Sequence, residues 1–110
     1  IARAERILVE HLSAPPPMPE VARLVGMAYS YFRREFKDRT GFSPHQYLQR
    51  LRLEKARRVM GTTAEPIKSI ADRLGFSSPF HFSAAFKKEF GISPHHWRRA
   101  MNETREPDRS

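Results

Sequence analysis

Cysteine is absent from the 110 residues, which excludes disulfides and thiolate zinc sites and is compatible with a reducing compartment. No apolar run is long enough to span a bilayer and no signal-peptide pattern is present, so a soluble chain with no membrane partner is expected. A Gly-rich phosphate loop is missing, as is any nucleophile, base and acid set; neither an enzyme nor a cofactor is expected. Useful β-type alternation is missing too, which leaves an all-α fold and no sheet of stacking aromatics for single-stranded RNA. Acidic residues are scarce: 12 Asp and Glu face 20 Lys and Arg, a net charge of +8. A field of that sign attracts polyanions, DNA and RNA first.

What is present is a duplication. Val21 to Tyr47 and Ile70 to Trp97 match at Ala22/Ala71, Gly26/Gly75, Phe32/Phe82, Phe36/Phe86, Lys37/Lys87, Gly41/Gly91, Ser43/Ser93, Pro44/Pro94 and His45/His95. One extra residue, Ser78, keeps the register. Between the copies lies Pro44 to Met60, a helical stretch opened by Ser43-Pro44 with Gln46 placed for a capping box and closed by Gly61. Its apolar residues divide: Tyr47, Leu48 and Leu51 point one way, Leu53, Ala56, Val59 and Met60 another, so each half is expected to pack on one lobe. Arg50, Glu54 and Arg57 take the solvated side. Arg52 projects within the apolar arc and needs a carboxylate or carbonyl partner unless its stem snorkels.

Seven helices follow from periodicity and punctuation. Ala2 to Leu12 carries Ala4, Ile7, Leu8 and Leu12 on one face, and SAPPP (13–17) ends it. Pro19 to Val25, Tyr29 to Arg39, the central rod, Pro66 to Leu74, Pro79 to Phe90 and Pro94 to about Asn102 follow. All five glycines fall just past expected helix ends, where a left-handed cap favours them. Pro19, Pro44, Pro66, Pro79 and Pro94 fall in first turns that need no amide donor. The organisation is a first helix-turn-helix lobe at 1–43, a linker helix at 44–61, a second lobe at 62–102 and a tail at 103–110 expected to fray. The chain falls into a helical pattern almost at once from Ile1, so a fragment of a longer protein is expected.

A short helix, a glycine turn and a second helix, with a small alanine where the two cross, is the helix-turn-helix pattern. Its second helix enters the major groove. Here those helices are Tyr29 to Arg39 and Pro79 to Phe90.

The second lobe, IKSIADRLGFSSPFHFSAAFKKEFGISPHHWRR, with Ile70-Ala71, Gly75-Phe76-Ser77, Phe82-Ser83, Phe86-Lys87-Lys88, Gly91 and Pro94, resembles the AraC/XylS family of bacterial transcription regulators. LRLEKARRVM in the rod matches the family's linker helix, and the resemblance covers Pro19 to Trp97. It implies a double-stranded DNA-binding domain whose two lobes address successive major-groove segments. It also implies a cytoplasmic bacterial regulator with an N-terminal effector or dimerisation domain outside this sequence, and RNA polymerase as a partner. A rod of roughly 25 Å against about 34 Å between successive groove segments makes DNA bending one way to close the gap.

With Phe32 and Phe36 inward, the first recognition helix shows Tyr29, Ser30, Arg33, Arg34 and Lys37 outward. Ser30, Arg33 and Arg34 match family positions that commonly reach bases, and an arginine fork suits guanine O6 and N7. Tyr29 and Lys37 are expected on the backbone. In the second helix Pro79, Phe80, Ser83, Ala84 and Lys87 face outward with His81 beside them, and Ala84 stands where the family often has arginine. Phe80 and Ala84 suit thymine methyls and His81 a base or phosphate, while a partly buried core role is the alternative for Phe80. Ser77, Ser78, Ser83, Lys87 and Lys88 are expected on phosphates. The first lobe is therefore expected to dominate base readout.

Ala28 stands where the family often has a helix-capping serine. His45, His95 and His96 are expected to face phosphates or water and to hold no metal, because adjacent helical residues point apart. Trp97 matches Tyr47 as a core residue closing its lobe, and Arg98 and Arg99 are expected on a solvated basic face within reach of the backbone. The rival reading is a helical module for an acidic protein partner, which leaves the duplicated lobes unexplained.

Overall fold

The computed structural model describes residues 1–105. These form seven α-helices: α1 (Ala2–Glu10), α2 (Met18–Leu24), α3 (Tyr29–Thr40), α4 (Pro44–Thr62), α5 (Ile67–Arg73), α6 (Pro79–Phe90) and α7 (Pro94–Arg105). The chain divides into two compact units, Ile1–Arg52 and Leu53 onward, so the boundary falls inside the long helix α4.

In the first unit Ala4 and Leu8 of α1, Met18, Val21 and Ala22 of α2, Phe32 and Phe36 of α3 and Leu48 of α4 form one buried cluster, with Tyr47 and Leu51 packed against it. Ala4 and Leu8, Met18 with Val21 and Ala22, Phe32 and Phe36, and Leu48 and Leu51 stand at i, i+3 or i, i+4, the spacing that gathers one face. Fully burying a phenylalanine contributes about 1.5–3 kcal/mol. The second unit buries Leu53, Ala56 and Met60 from the later half of α4, together with Ile67, Ile70, Ala71, Leu74, Phe76, Phe82, Ala85 and Phe86. The divided apolar face read from the rod is thus the division between units.

The duplication is geometric as well as textual. Phe32 and Phe36 have ring centroids 5.7 Å apart at 56°, and Phe82 and Phe86 are 5.7 Å apart at 55°. Tyr47 meets Phe36 edge-on at 5.1 Å; Trp97 meets Phe86 edge-on at 6.2 Å. Both closing aromatics are half-buried.

The two turns are also copies. Gly26 N–H donates to Arg23 O at 3.0 Å and Met27 N–H to Ala22 O at 2.9 Å, while Gly75 N–H donates to Asp72 O at 3.1 Å and Phe76 N–H to Ala71 O at 3.0 Å. This paired closure satisfies the last carbonyls of α2 and α5 and requires a left-handed residue at its centre; Gly26 has φ 76° and Gly75 φ 92°.

Gly61 departs from the expected capping role. It lies inside α4, which continues to Thr62, and its φ is not positive. Its Cα hydrogen faces the Trp97 ring, where a Cβ would lie 3.2 Å from Cη2. Pro66 is the residue before α5 rather than within its first turn, and α1 stops at Glu10, before Leu12. Helix α7 runs to Arg105, so Glu103 and Thr104 are helical rather than frayed; the rest of the expected tail, 106–110, lies outside the described residues.

Polar groups fix the helix ends. The capping box at α4 forms as read: Ser43 N–H donates to Gln46 Oε1 at 3.0 Å and Gln46 N–H to Ser43 Oγ at 3.2 Å. At α7 the same place is held by His96 N–H donating to Ser93 Oγ at 3.3 Å, with His96 Nδ1 2.8 Å from that hydroxyl. Arg52 finds the carbonyl partner its position demanded, Nε donating to Leu12 O at 2.9 Å, and burial draws its pKa below the ordinary arginine value. Tyr47 Oη donates to Glu5 Oε2 at 2.7 Å. Burial first, and then that carboxylate, push the phenol's pKa up to about 12.

Three basic residues read as solvated are engaged within the fold. Arg50 lies over the Phe42 ring at 4.6 Å. Arg57 lies over Phe90 at 4.5 Å and donates to Glu54 Oε2 at 2.7 Å. Arg98, expected on a basic face near DNA, instead ties the last turn of α4 to the loop after it, donating to the carbonyls of Met60 at 3.2 Å, Glu65 at 2.6 Å and Thr63 at 3.4 Å. Orphan carbonyls at a helix C-terminus favour such a cation.

Candidate nucleic-acid interface

Helix α3 puts Phe32 and Phe36 inward because they are one turn apart, and the same periodicity leaves Tyr29, Ser30, Arg33, Arg34 and Lys37 exposed. Four of these five line one open depression of about 500 Å³, formed by Ser30, Arg33, Arg34, Lys37, Asp38 and Ser43. Tyr29 stands beside it with its ring under the Arg33 guanidinium at 5.6 Å. Among the described residues, Arg34 and Lys37 take no ion-pair partner, whereas Arg39 on the flank pairs with Glu35 at 3.6 Å. Asp38 was not singled out in the sequence and Ser43 was read only as the opening of the α4 capping box, although Asp38 stands at i+4 from Arg34, where the two side chains share a face.

Charge elsewhere on the turns is neutralised. Arg23 at the end of α2 donates through Nε to Glu20 Oε2 at 2.9 Å, and Arg73 at the end of α5 donates to Glu65 at 3.2 and 2.9 Å. Those hydrogen bonds lower the pKa of both glutamates and raise that of both arginines. Among the described residues, Arg34 and Lys37 on the outward face of α3 are not neutralised in this way.

The N-terminus of α3 has no side-chain cap. Ala28 occupies the cap position with extended dihedrals, φ −63° and ψ 145°. At α6 the position belongs to Ser78, whose Oγ accepts from His81 N–H at 3.0 Å. Ser77 Oγ lies 3.1 Å from His81 Nδ1, and the imidazole meets the Phe76 ring edge-on at 5.5 Å. The two serines expected on phosphates therefore also order the first turn of α6 and aim its histidine. Ser77, Ser78 and Pro79 share a smaller depression with Lys68, Ser69, Asp72 and Phe76. Of these, Lys68, Ser69 and Asp72 gave no signal in the sequence.

On the outward face of α6, Phe80 is 85% exposed, which overturns a core role for it. His81, Ala84, Lys87 and Lys88 are exposed and Ser83 is half-buried. Among the described residues, no group of three or more His, Cys, Asp or Glu is placed to hold a metal ion, and no helix is long and apolar enough to cross a membrane.

Comparison with known proteins agrees with this architecture. Residues 21–100 match the model of a family described as a helix-turn-helix domain. The chain is 38% identical over 87 residues to the HTH-type transcriptional activator RhaS of Enterobacter sp. (strain 638), covering 79% of this chain and 31% of that protein. It is 33% identical over 90 residues to the probable transcriptional regulator LumQ of Photobacterium leiognathi, covering 82% of this chain and 36% of that protein. This chain thus spans about a third of the length of the curated relatives it matches. Among solved structures, the DNA-binding domain of the global transcriptional factor AdpA, in complex with a target DNA, superimposes with a TM-score of 0.89 at 29% identity, over 97% of this chain and 96% of that one. An AraC-type transcriptional regulator from Chromobacterium violaceum gives 0.86 at 29% identity, over 97% and 93% of the respective chains.

Proposed function

We propose that this chain, which belongs to the AraC/XylS family of helix-turn-helix DNA-binding domains, is the part of a bacterial transcription regulator that binds double-stranded DNA sequence-specifically. Helices α3 and α6 enter successive major-groove segments, and α3 supplies most of the base discrimination. The observation that carries this reading is the convergence of Ser30, Arg33, Arg34 and Lys37 on one exposed face of the helix that follows the glycine turn. Arginine forks there suit guanine edges, each good bidentate pair contributing about 1–3 kcal/mol of discrimination. Lys37, Lys87 and Lys88 hold phosphates, and so do the free amides at the start of α3.

The relatives are about three times longer than the part matched here. We therefore assign effector sensing or dimerisation to sequence outside this chain, in a cytoplasmic regulator that meets RNA polymerase at the promoter. The role is binding, not catalysis.

Selection of random duplex DNA by the purified chain, with the enriched sites retested across a salt series, tests the proposal. Two half-sites about one helical turn apart are expected, the stronger one losing its base preference in Arg33→Ala or Arg34→Ala. Sequence-blind binding with a steep salt slope would refute it.

A further inference from the structure

The two recognition helices present opposite chemistry at equivalent positions. Ser30 and Arg34 of α3 correspond to Phe80 and Ala84 of α6, and all four are exposed. Phe80 is 85% exposed, in a chain whose Phe32, Phe36, Phe82 and Phe86 are 0% exposed and Phe76 7%. Periodicity explains how it comes to be outside: Phe82 and Phe86 define the inward face, and two residues before Phe82 is the opposite side of the helix. Packing gives it no reason to be phenylalanine.

Ala84 follows Phe80 by one turn, so the two form a continuous apolar strip along α6. Beside the strip, His81 is steered by Ser77 at Nδ1 and by the Phe76 ring. Lys87 and Lys88 lie a turn further on, both exposed. The strip itself offers no hydrogen-bond donor or acceptor.

We propose that α6 reads thymine by its 5-methyl group, Phe80 and Ala84 forming the surface that receives it; this rests on the DNA-binding reading above. In the major groove of unmodified DNA the thymine methyl is the one apolar feature among base edges. An exposed phenyl ring with a methyl-sized neighbour one turn away matches it in polarity and size, while the lysines beyond it suit phosphates. The two lobes then read different alphabets: α3 the hydrogen-bonding edge of guanine, α6 the methyl of thymine.

The test uses the site recovered by selection. Each thymine in the half-site contacted by α6 is replaced by deoxyuridine, which removes the methyl and keeps base pairing, and affinity is measured by fluorescence anisotropy. One or two positions should lose roughly three- to fivefold, the size of one buried methyl. Replacing such a thymine by cytosine should weaken binding, and 5-methylcytosine should recover part of the loss. Phe80→Ala should reduce the deoxyuridine effect to less than about 1.5-fold, whereas Arg34→Ala should leave it intact.

A deoxyuridine penalty that persists in Phe80→Ala would overturn the assignment, because the methyl would then act through DNA shape or another residue. Indifference to deoxyuridine at a site still bound selectively would overturn it while sparing the DNA-binding reading. If selection yields no preferred site, both fall. Should Phe80→Ala leave DNA affinity unchanged and instead abolish binding to RNA polymerase, the strip is a protein-docking surface and the proposal is wrong.

Discussion

A Cβ on residue 61 would lie 3.2 Å from Cη2 of Trp97, so any side chain at Gly61 must displace an indole contributed from α7. In an exposed helix, glycine to alanine stabilises by about 0.8–1.0 kcal/mol. Here Gly61→Ala is expected to give no gain or a loss in urea denaturation, because the ring must shift, and Gly61→Val a clear loss. In a Trp97→Phe background, whose shorter ring vacates that space, Gly61→Ala should recover the helix-propensity gain. Full stabilisation by Gly61→Ala in the unaltered chain would refute the contact.

The pKa of the half-buried Tyr47 phenol is pushed up to about 12, first by desolvation and then by its hydrogen bond to Glu5. An unfolded tyrosine ionises near 10. Between those values the unfolded chain releases a proton that the folded chain keeps, so the contribution of Tyr47 is complete below pH ~10 and is lost as pH rises toward 12. An ultraviolet titration should show a late-ionising tyrosine that is missing in Tyr47→Phe. Glu5→Gln should draw the late one part of the way back.

Ala28 caps α3 without a side-chain acceptor, whereas Ser78 caps α6. Ala28→Ser is therefore expected to stabilise the chain by about 0.5–2 kcal/mol, and Ser78→Ala to destabilise it by a similar amount. Thermal unfolding of the two variants against the parent reads both signs.

Arg98 and Lys37 separate scaffold from interface. Arg98→Gln removes hydrogen bonds from a charged donor to the carbonyls of Met60 in α4 and Glu65 in the loop after it, each worth about 1.5–3 kcal/mol. Stability should fall, while the salt slope of DNA binding stays as it was. Lys37→Ala should do the reverse, reducing the slope by about one and weakening all sequences alike. A flattened salt slope in Arg98→Gln would mean that Arg98 meets phosphate after all.

Most of the scaffold could be read from local signals. Gly26, Gly41, Gly75 and Gly91 all adopt positive φ, and the 3.6-residue spacing put Phe32, Phe36, Phe82 and Phe86 inside. Gly61 misled because a glycine near a helix end looks the same in sequence whether it turns the chain or admits a ring. The ring comes from residue 97, beyond the reach of any local pattern. Arg52 showed the kind of partner it needed but not which one, since Leu12 lies 40 residues away. Arg98 was misread for the same reason: its carbonyls are 33 to 38 residues back. At the candidate interface, periodicity sorted outward from inward residues, yet Phe80 stayed ambiguous because hydrophobicity argued for burial and phase against it. The place of Asp38 and Ser43 in the depression emerged only once folding curled the end of α3 toward the start of α4.

The matched aromatic pairs and matched turns also bear on how such a protein changes its target. Phe32 with Phe36, and Phe82 with Phe86, hold one frame to within a degree of interplanar tilt, although the exposed Ser30 and Arg34 share nothing with the exposed Phe80 and Ala84 at the equivalent positions. Surface substitutions of that kind usually alter stability by less than about 0.5 kcal/mol. Each lobe can therefore exchange its exposed residues without renegotiating its fold, and on the two-lobe reading proposed above one lobe is free to drift to a new half-site while the other keeps the protein anchored to the old one.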